Sequence, residues 1–519
     1  MSWSFGAIFD RLGRVVEPGS AALIHGDHVT SWADFDRRTD RLAATFLAAG
    51  SRAGDKVAHL MRNSPAYLET TIATFKARLV HVNVNYRYTG EELFYILENS
   101  DAAVVVYDAE FAPLIDALRS RLPLIKLYLQ VGGEVDDFER AATTDQALTR
   151  QHHQPDDLLF IYTGGTTGMP KGVMWEQAAL FTLLGGGSPA PGEVPPASLD
   201  ALLANVAAGI GRQRSLIMPP LMHGSGFLVA IYTLARGGCA ITLPSSSFQP
   251  LEALDCCASH GPDYAVIVGD AFARPLLRAL DNGVGSIARL RTIISSGTMW
   301  SPEVKAGLLR HNPDLTMIDA LASSESLGIG TSLQTSANAG AETRFMRDPN
   351  THVLDDDMQP VVPGSGIMGR IARGGLTPRG YYKDLPKSAA TFVEVAGERL
   401  VLAGDWATVE ADGTIVLLGR GSQCINTGGE KVFPEEVEEA LKTHPLVEDA
   451  LVFGMADDKW GQAVTAVVEA PGADPHLLAA HVKARLAAYK TPKRVILVTK
   501  VPRGPNGKAD YARARELSG

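Results

Sequence analysis

The sequence is short of cysteine, of long apolar runs and of positive charge, and each shortage argues against a class of protein. Four cysteines occur in 519 residues, none of them in a CxxC pair, which favours reduced thiols and a cytoplasmic protein. No run of about 18 apolar residues is present, so no transmembrane helix is expected. The net charge of −10 argues against electrostatic binding of nucleic acid.

What the sequence does contain is the composition of a large folded protein, with 45% hydrophobic and 20% charged residues. Strand and helix patterns alternate, for example at 57–60 and 65–77, which predicts an α/β fold with mainly parallel sheets. After residue 419 the pattern changes to that of a small α+β unit, with a helix at 433–441. We therefore predict a large N-terminal multi-sheet α/β domain at 1–420 and a small C-terminal α+β domain at 421–519.

The most specific motif is a loop rich in glycine and threonine at 163–172, TGGTTGMPKG, directly after an apolar strand at 158–162. Glycines let backbone N–H groups approach an anion, threonine hydroxyls add donors, and Lys171 adds positive charge. The loop is not of the Walker type, because Pro170 precedes the lysine and Gly172 follows it. The sequence therefore predicts a phosphate-binding loop. Its candidate residues are Thr163, Gly164, Gly165, Thr166, Thr167, Gly168 and Lys171.

This loop resembles the signature of adenylate-forming enzymes, the superfamily of acyl-CoA synthetases, peptide-synthetase adenylation domains and firefly luciferase. Further segments that are similar to motifs of the superfamily follow in order. They are PPLMHG at 219–224, SSGTM at 295–299, DALASSE at 319–325, GDW at 404–406, GRG at 419–421, TGGEKVFP at 427–434 and PRGPNGK at 502–508. The resemblance covers nearly the whole chain and is closest to acyl-CoA synthetases of fatty-acid and steroid side-chain catabolism.

The resemblance implies that ATP, Mg²⁺ and coenzyme A bind along these motifs. It assigns Glu325 and Thr163 to the metal, and it assigns catalysis to these two residues together with Lys508 and His223. Nucleotide and CoA contacts are assigned to the phosphate-binding loop and to Ser296, Gly297, Thr298, Asp319, Ala320, Leu321, Ser324, Asp405, Arg420, Gly428, Gly429 and Lys431. The acyl pocket is assigned to His223, Ser225, Gly226, Gly269, Ala271, Gly297, Ala322 and Ser323.

Three positions depart from the pattern of the superfamily. Leu321 stands where an aromatic ring usually packs on adenine, and Ala322 replaces a glycine. Ser422 stands at the hinge, where aspartate or lysine is usual. Loss of the ring weakens stacking by about 1 kcal/mol and leaves the site in place.

The implied reaction has two halves: a carboxylate attacks the α-phosphorus of ATP, and CoA thiolate then attacks the acyl-AMP. Between the two half-reactions, rotation of the mobile C-terminal domain about residues 420–422 would withdraw Lys508 from the site. The pocket residues are small or apolar, which favours a bulky, medium-chain, long-chain or steroid side-chain acid. The alternatives are an aryl-alkanoate CoA ligase, an acyl-AMP ligase that loads a carrier protein and a silent nucleotide binder.

Residues 185–214, rich in glycine and proline, form either a surface excursion or a wall of the site. The sequence does not decide whether the protein forms a homodimer.

Overall fold

The structure is a computed structural model that describes residues 3–88, 90–163, 169–190, 192–298, 300–427, 430–457, 461–486, 488–505 and 507–518. For residues 420, 422, 426, 430, 431 and 461 it describes the backbone alone. The helices are α1 (Phe5–Leu12), α2 (Trp32–Ala48), α3 (Pro65–Lys76), α4 (Gly90–Asn99), α5 (Ala112–Leu118), α6 (Asp137–Thr143), α7 (Gln177–Leu183), α8 (Leu199–Ala207), α9 (Gly224–Ala235), α10 (Pro250–His260), α11 (Asp270–Asp281), α12 (Pro302–His311), α13 (Leu385–Thr391), α14 (Pro434–Lys442), α15 (Pro475–Lys483) and α16 (Tyr511–Glu516).

The strands are β1 (Ala21–His25), β2 (His28–Ser31), β3 (Lys56–Leu60), β4 (Val80–Asn83), β5 (Ala102–Asp108), β6 (Leu127–Val131), β7 (Leu158–Thr163), β8 (Lys171–Glu176), β9 (Arg214–Ile217), β10 (Cys239–Thr242), β11 (Tyr264–Ile267), β12 (Thr292–Ser296), β13 (Thr316–Leu321), β14 (Gly330–Gln334), β15 (Met346–Arg347), β16 (Thr351–Leu354), β17 (Gly369–Arg373), β18 (Phe392–Val395), β19 (Glu398–Val401), β20 (Asp405–Val409), β21 (Ile415–Arg420), β22 (Ile425–Thr427), β23 (Glu430–Val432), β24 (Asp449–Asp457), β25 (Gly461–Glu469) and β26 (Arg494–Val498). Within the described residues they form four sheets.

The first two sheets contain the parallel strands that the alternating pattern predicts. The first has the order β15-β14-β13-β12-β11-β9-β10-β1-β2, and its strands from β13 to β1 run parallel. The second has the order β6-β5-β3-β4-β7-β8, and only β8 runs antiparallel among the described pairs. The predicted α/β class is therefore confirmed for this part of the chain.

The third sheet departs from the predicted parallel arrangement. Its order is β18-β19-β17-β20-β21, with β16 on β17, and every described pair is antiparallel. One two-residue turn explains part of this arrangement. It joins β18 to β19 through Ala396 and Gly397, both at positive φ. A turn of this length can join only antiparallel neighbours. The fourth sheet, β23-β22-β25-β24 with β26 on β25, belongs to the smaller C-terminal domain.

Helix α9 lies between the first two sheets and is apolar for most of its length. The ring of Phe227 in α9 stacks on His81 of β4 at a centroid distance of 4.2 Å, and α9 also packs on β9 and β11. Burial of this helix fixes its first residues beside the carboxyl ends of the parallel strands. In open α/β sheets, ligands bind at those ends.

Among the described residues, no helix combines the length and the apolar composition that are needed to cross a bilayer.

Candidate active site

The carboxyl ends of β11, β12 and β13 form the floor of the candidate site. The backbone N–H of Gly269, just after β11, donates to Ser295 Oγ of β12 at 2.9 Å. Gly297 follows β12 with φ +93°, a conformation that side chains with Cβ rarely adopt. A Cβ placed there would lie 3.5 Å from Lys508 Cε and 3.8 Å from Ser225 Oγ. Residues from both domains therefore meet at Gly297.

His223 and Ser225 stand at the start of α9 on the other side of this point. Ser296 Oγ donates to Ser225 Oγ at 2.9 Å, which joins the helix to β12. Burial, together with the positive charges of Lys508 and Arg87, lowers the pKa of His223 to about 3. The imidazole is therefore neutral near pH 7. Gly226 lets α9 approach closely, since its Cβ would lie 2.9 Å from the carbonyl oxygen of Pro219.

Two asparagines that the sequence analysis assigned no role hold the segment before His223. Asn63 accepts from the N–H of Leu221 at 2.6 Å and donates to the carbonyl of Pro219 at 3.0 Å. Asn83 donates to the carbonyls of Met222 at 2.8 Å and Tyr162 at 2.9 Å. Both asparagines lie at or just beyond the carboxyl end of a parallel strand, which is the signal that could have identified them.

Lys171 and Glu325 lie on two sides of one tyrosine. Tyr381 donates its hydroxyl to Glu325 Oε1 at 2.8 Å, and Lys171 Nζ lies 5.6 Å from the centre of its ring. Thr163 pairs with Lys171 across the β7–β8 hairpin. The neighbouring Ser324 accepts from Trp175 Nε1 through its carbonyl at 2.9 Å. The structure therefore brings together the predicted metal carboxylate and the predicted phosphate-binding lysine.

These residues fit a magnesium ion that is bound together with a polyphosphate. Carboxylate and hydroxyl oxygens are hard ligands, and Mg²⁺ is usually held by one or two carboxylates plus substrate phosphates. No group of three or more His, Cys, Asp or Glu side chains suited to a metal is found in the part of the chain that the structure describes.

Asp319 and Leu321 face away from the predicted nucleotide site. Side chains alternate along β13, and Ala320, which pairs with Ser296, is half-buried on the face toward α9. Asp319 is buried on the opposite face and forms an ion pair with the buried Lys305. Burial raises the pKa of Asp319, and the charge of Lys305 opposes this. Leu321 is buried in the apolar cluster of the third sheet, and the assignment of both residues to the nucleotide stays a prediction.

The structure describes some of the remaining predicted residues and leaves others undescribed. Ser323 Oγ is buried, with no hydrogen-bond partner among the described residues. Asp405 opens β20 and pairs with Arg420 on β21. The loop residues Gly164, Gly165, Thr166, Thr167, Gly168, Gly428 and Gly429, and the side chains of Arg420 and Lys431, lie outside the described residues. Thr298 follows Gly297, and Ala322 precedes Ser323.

The turn that carries Lys508 is braced from within the C-terminal domain. Arg503, to which the sequence analysis assigned no role, donates to Asp449 at 2.5 Å and to the carbonyl of Gly507 at 3.1 Å. Gly507 has φ +72°, and a Cβ on it would lie 2.9 Å from the Cβ of Ala271. The turn therefore packs directly on the first residues of α11, which aims Lys508 at Gly297 and His223.

A second contact between the two domains lies away from this turn. Arg278 of α11 forms an ion pair with Glu448 at 2.6 Å, and Ser301 Oγ lies 3.5 Å from Glu439 of α14. Both contacts are made by the same side of the large domain. They hold the C-terminal domain in the position that places Lys508 in the site.

The chain shows similarity to known proteins over nearly its whole length. The profile of the AMP-binding enzyme family matches residues 14–382, and that of its C-terminal domain matches residues 436–508. A 3-oxocholest-4-en-26-oate–CoA ligase of Rhodococcus rhodochrous is 38% identical, over 97% of this chain and 94% of that protein. A medium/long-chain-fatty-acid–CoA/3-oxocholest-4-en-26-oate–CoA ligase of Mycolicibacterium smegmatis is 37% identical, over 96% and 94%. The structure of an anthranilate CoA ligase in complex with anthranoyl-AMP superposes with a TM-score of 0.84 at 21% identity, over 99% of this chain and 97% of that one. The prediction from the motifs is therefore confirmed: the chain belongs to the family of AMP-binding enzymes.

Proposed function

We propose that the protein is an acyl-CoA synthetase that converts a hydrophobic carboxylic acid, ATP and CoA into acyl-CoA, AMP and pyrophosphate. The observation that carries the proposal is the meeting of Lys508, His223 and Gly297 at one point. A mobile cation from one domain and a neutral imidazole from the other suit a reaction between two anions. The names of the relatives above support CoA as the acceptor.

In the first half-reaction, a carboxylate oxygen attacks the α-phosphorus of ATP and pyrophosphate leaves. Two anions repel each other, so the site must offset negative charge as the new bond forms. Lys508 supplies a point charge beside Gly297, and Lys171 supplies a second one near Glu325. The neutral His223 orients the acid through a hydrogen bond without adding charge. Glu325 and Thr163 would hold Mg²⁺, which would offset part of the negative charge of the phosphates.

The second half-reaction needs a different arrangement of the same residues. CoA thiolate attacks the acyl carbon and AMP leaves, but Lys508 and its turn lie on Gly297 and Ala271. We infer that the domain boundary lies at residues 420/421 and that rotation about residues 420–422 removes Lys508 from the site. Rotation would also carry the loop at 427–434 to the acyl-AMP. Such hinge motions are a general way to assemble two sites in turn.

Half-buried apolar side chains beside Ser296 support a hydrophobic acid as substrate. Residues on one face of β11–β13, such as Ile267, Ile293 and Met317, are fully buried. On the other face, toward α9, Ile294 and Ile318 are only half-buried although they lie in central strands. Central parallel strands are normally covered on both faces, so this partial exposure indicates a groove that leads to Ser296. Other half-buried apolar residues that pack on the same core are Leu183, Leu184, Val229, Tyr232 and Leu327.

We propose a medium-chain, long-chain or steroid side-chain acid as the substrate. Its carboxylate would lie at His223 and Ser225, and its apolar body would follow the groove past Ile294. The names of the two relatives described above support this class. An aryl-alkanoic acid would fill only the end of the groove nearest Ser296, and it is the alternative.

The test is AMP release from Mg-ATP with a panel of acids: short-chain, medium-chain, long-chain, aryl and steroid side-chain. Each acid is run with and without CoA. The proposal predicts CoA-dependent AMP release that is greatest for one of the bulky apolar classes. Acyl-AMP formation without any response to CoA would indicate a carrier-protein acceptor, and binding of ATP without turnover of any acid would indicate a silent binder.

A further inference from the structure

We propose that Tyr381 is the positioning residue that orients the metal-binding carboxylate of Glu325 relative to Lys171. The inference rests on the proposed function, since it assumes that Glu325 binds Mg²⁺ in the complex with ATP. It adds a residue for which no motif of the sequence analysis gave a role.

The backbone of Tyr381 is fixed to the strand that carries Lys171. The N–H of Tyr382 donates to the carbonyl of Gly172 at 2.8 Å, and the N–H of Met174 donates to the carbonyl of Gly380 at 3.0 Å. The segment around Tyr381 therefore extends the edge of the second sheet beside β8. Any shift of Tyr381 would require a shift of Lys171 as well.

The side chain of Tyr381 reaches from this edge to a different sheet. Its ring is 5% exposed and packs edge-on against Phe392 at 5.5 Å. Its hydroxyl donates to Glu325 Oε1 at 2.8 Å, in the loop between β13 and β14 of the first sheet. A buried ring with one fixed hydroxyl is a rigid spacer, because it has only two side-chain torsions.

The loop that carries Glu325 is anchored at three successive points. Trp175 donates to the carbonyl of Ser324, and Arg373 donates to the carbonyl of Leu327 at 3.2 Å. These two bonds hold the backbone on either side of Glu325. The bond from Tyr381 is the one that acts on the carboxylate itself, so it selects the rotamer of Glu325.

A phenol that donates to one oxygen of a carboxylate leaves the other lone pairs for a metal. Hydrogen bonds to ligating carboxylates are a general feature of metal sites, and their loss typically lowers metal affinity by 10- to 100-fold. Loss of the hydroxyl of Tyr381 should therefore lower the affinity for ATP with Mg²⁺ and leave the affinity for ATP without metal unchanged. The ring itself faces Lys171 and should matter to both.

The test is calorimetric binding of ATP to the full-length protein, once with Mg²⁺ and once with EDTA. We expect Tyr381→Phe to weaken binding with Mg²⁺ by about 10-fold and to leave binding in EDTA unchanged. Tyr382→Phe is the matched control, because it removes a neighbouring hydroxyl that donates to Asp101 and should change neither value. Equal weakening with and without Mg²⁺, or no weakening, would overturn the proposal.

A double-mutant cycle separates positioning from a general loss of structure. In a Glu325→Gln background, Tyr381→Phe should have no further effect on binding with Mg²⁺, because the carboxylate that it orients is gone. A persistent effect in that background would mean that the tyrosine acts through packing, which refutes the inference. Failure of the wild-type protein to bind ATP would instead refute the proposed function, so the two failures are distinguishable.

Discussion

Removal of the ion pair between Arg278 and Glu448 should shift the protein from the first half-reaction toward the second. The pair joins the two domains at 2.6 Å, with side chains that are 53% and 36% exposed. Exposed pairs contribute about 0.2–1 kcal/mol, so Arg278→Ala should lower the equilibrium constant for the observed domain arrangement by about 1.4- to 5-fold. Under the proposed mechanism acyl-AMP formation needs Lys508 in the site, so its rate should fall by up to the same factor.

The assay measures the two half-reactions separately: pyrophosphate release from ATP and acid, and acyl-CoA formation from supplied acyl-AMP and CoA. We expect Arg278→Ala to slow the former and not the latter, and 0.5 M salt to reduce the difference. Arg310→Ala is the control, since Arg310 pairs with Asp281 inside the large domain. The charge-swapped variant Arg278→Glu/Glu448→Arg should recover the wild-type ratio. Equal slowing of both halves, or no recovery on swapping, would refute the reasoning.

Three further predictions follow from the site and its supports. Lys508→Ala should abolish most acyl-AMP formation but spare acyl transfer from supplied acyl-AMP to CoA; equal loss in both half-reaction assays would contradict the alternating-domain account. Burial lowers the pKa of His81 to about 3, so the unfolded chain binds a proton that the native protein does not, and the free energy of unfolding should fall as the pH drops from about 6.5. His81 contributes a slope of up to about 1.4 kcal/mol per pH unit to the free energy of unfolding. The free energy of unfolding of His81→Leu, measured in urea, should therefore depend less on pH than that of the wild type. The same pH dependence in both proteins would contradict this prediction. Asn83→Ala should cost about 1–3 kcal/mol in urea unfolding, because it leaves two buried carbonyls without this donor, and it should lower the rate of acyl-AMP formation. Asn85→Ala is the control, because Asn85 takes no part in the hydrogen bonds from Asn83 to the carbonyls of Met222 and Tyr162. Equal effects of the two variants would argue against a supporting role for those bonds.

The parallel sheets could be predicted because their signal is local. A buried parallel strand and its covering helix each have a characteristic period, and the predicted elements at 57–60 and 65–77 agree with β3 and α3 to within one residue. The antiparallel third sheet was not predicted, since its short strands have mixed burial and their pairing depends on turns such as Ala396–Gly397.

The candidate site shows the same division between local and distant information. Motifs located Lys171, Glu325 and Lys508, but a motif does not state which face of a strand each residue occupies. Asp319 and Ala320 are adjacent in sequence and point to opposite faces of β13. Tyr381 is 56 residues from Glu325 along the chain, and no pattern within either segment predicts that they touch.

The close approach of Gly507 to Ala271 has a consequence for the entropy of the catalytic step. Lysine is among the side chains with the most rotamers, and confining it entirely costs up to about 2 kcal/mol. Here the backbone below it is held by Arg503 and by direct packing on α11. Docking of the domain therefore brings the base of the side chain to within a few ångströms of its target before any torsion of Lys508 is fixed. In the proposed mechanism the C-terminal domain would make the large motion as a rigid body. The side chain of Lys508 would then make only a small final adjustment as charge develops on the substrate.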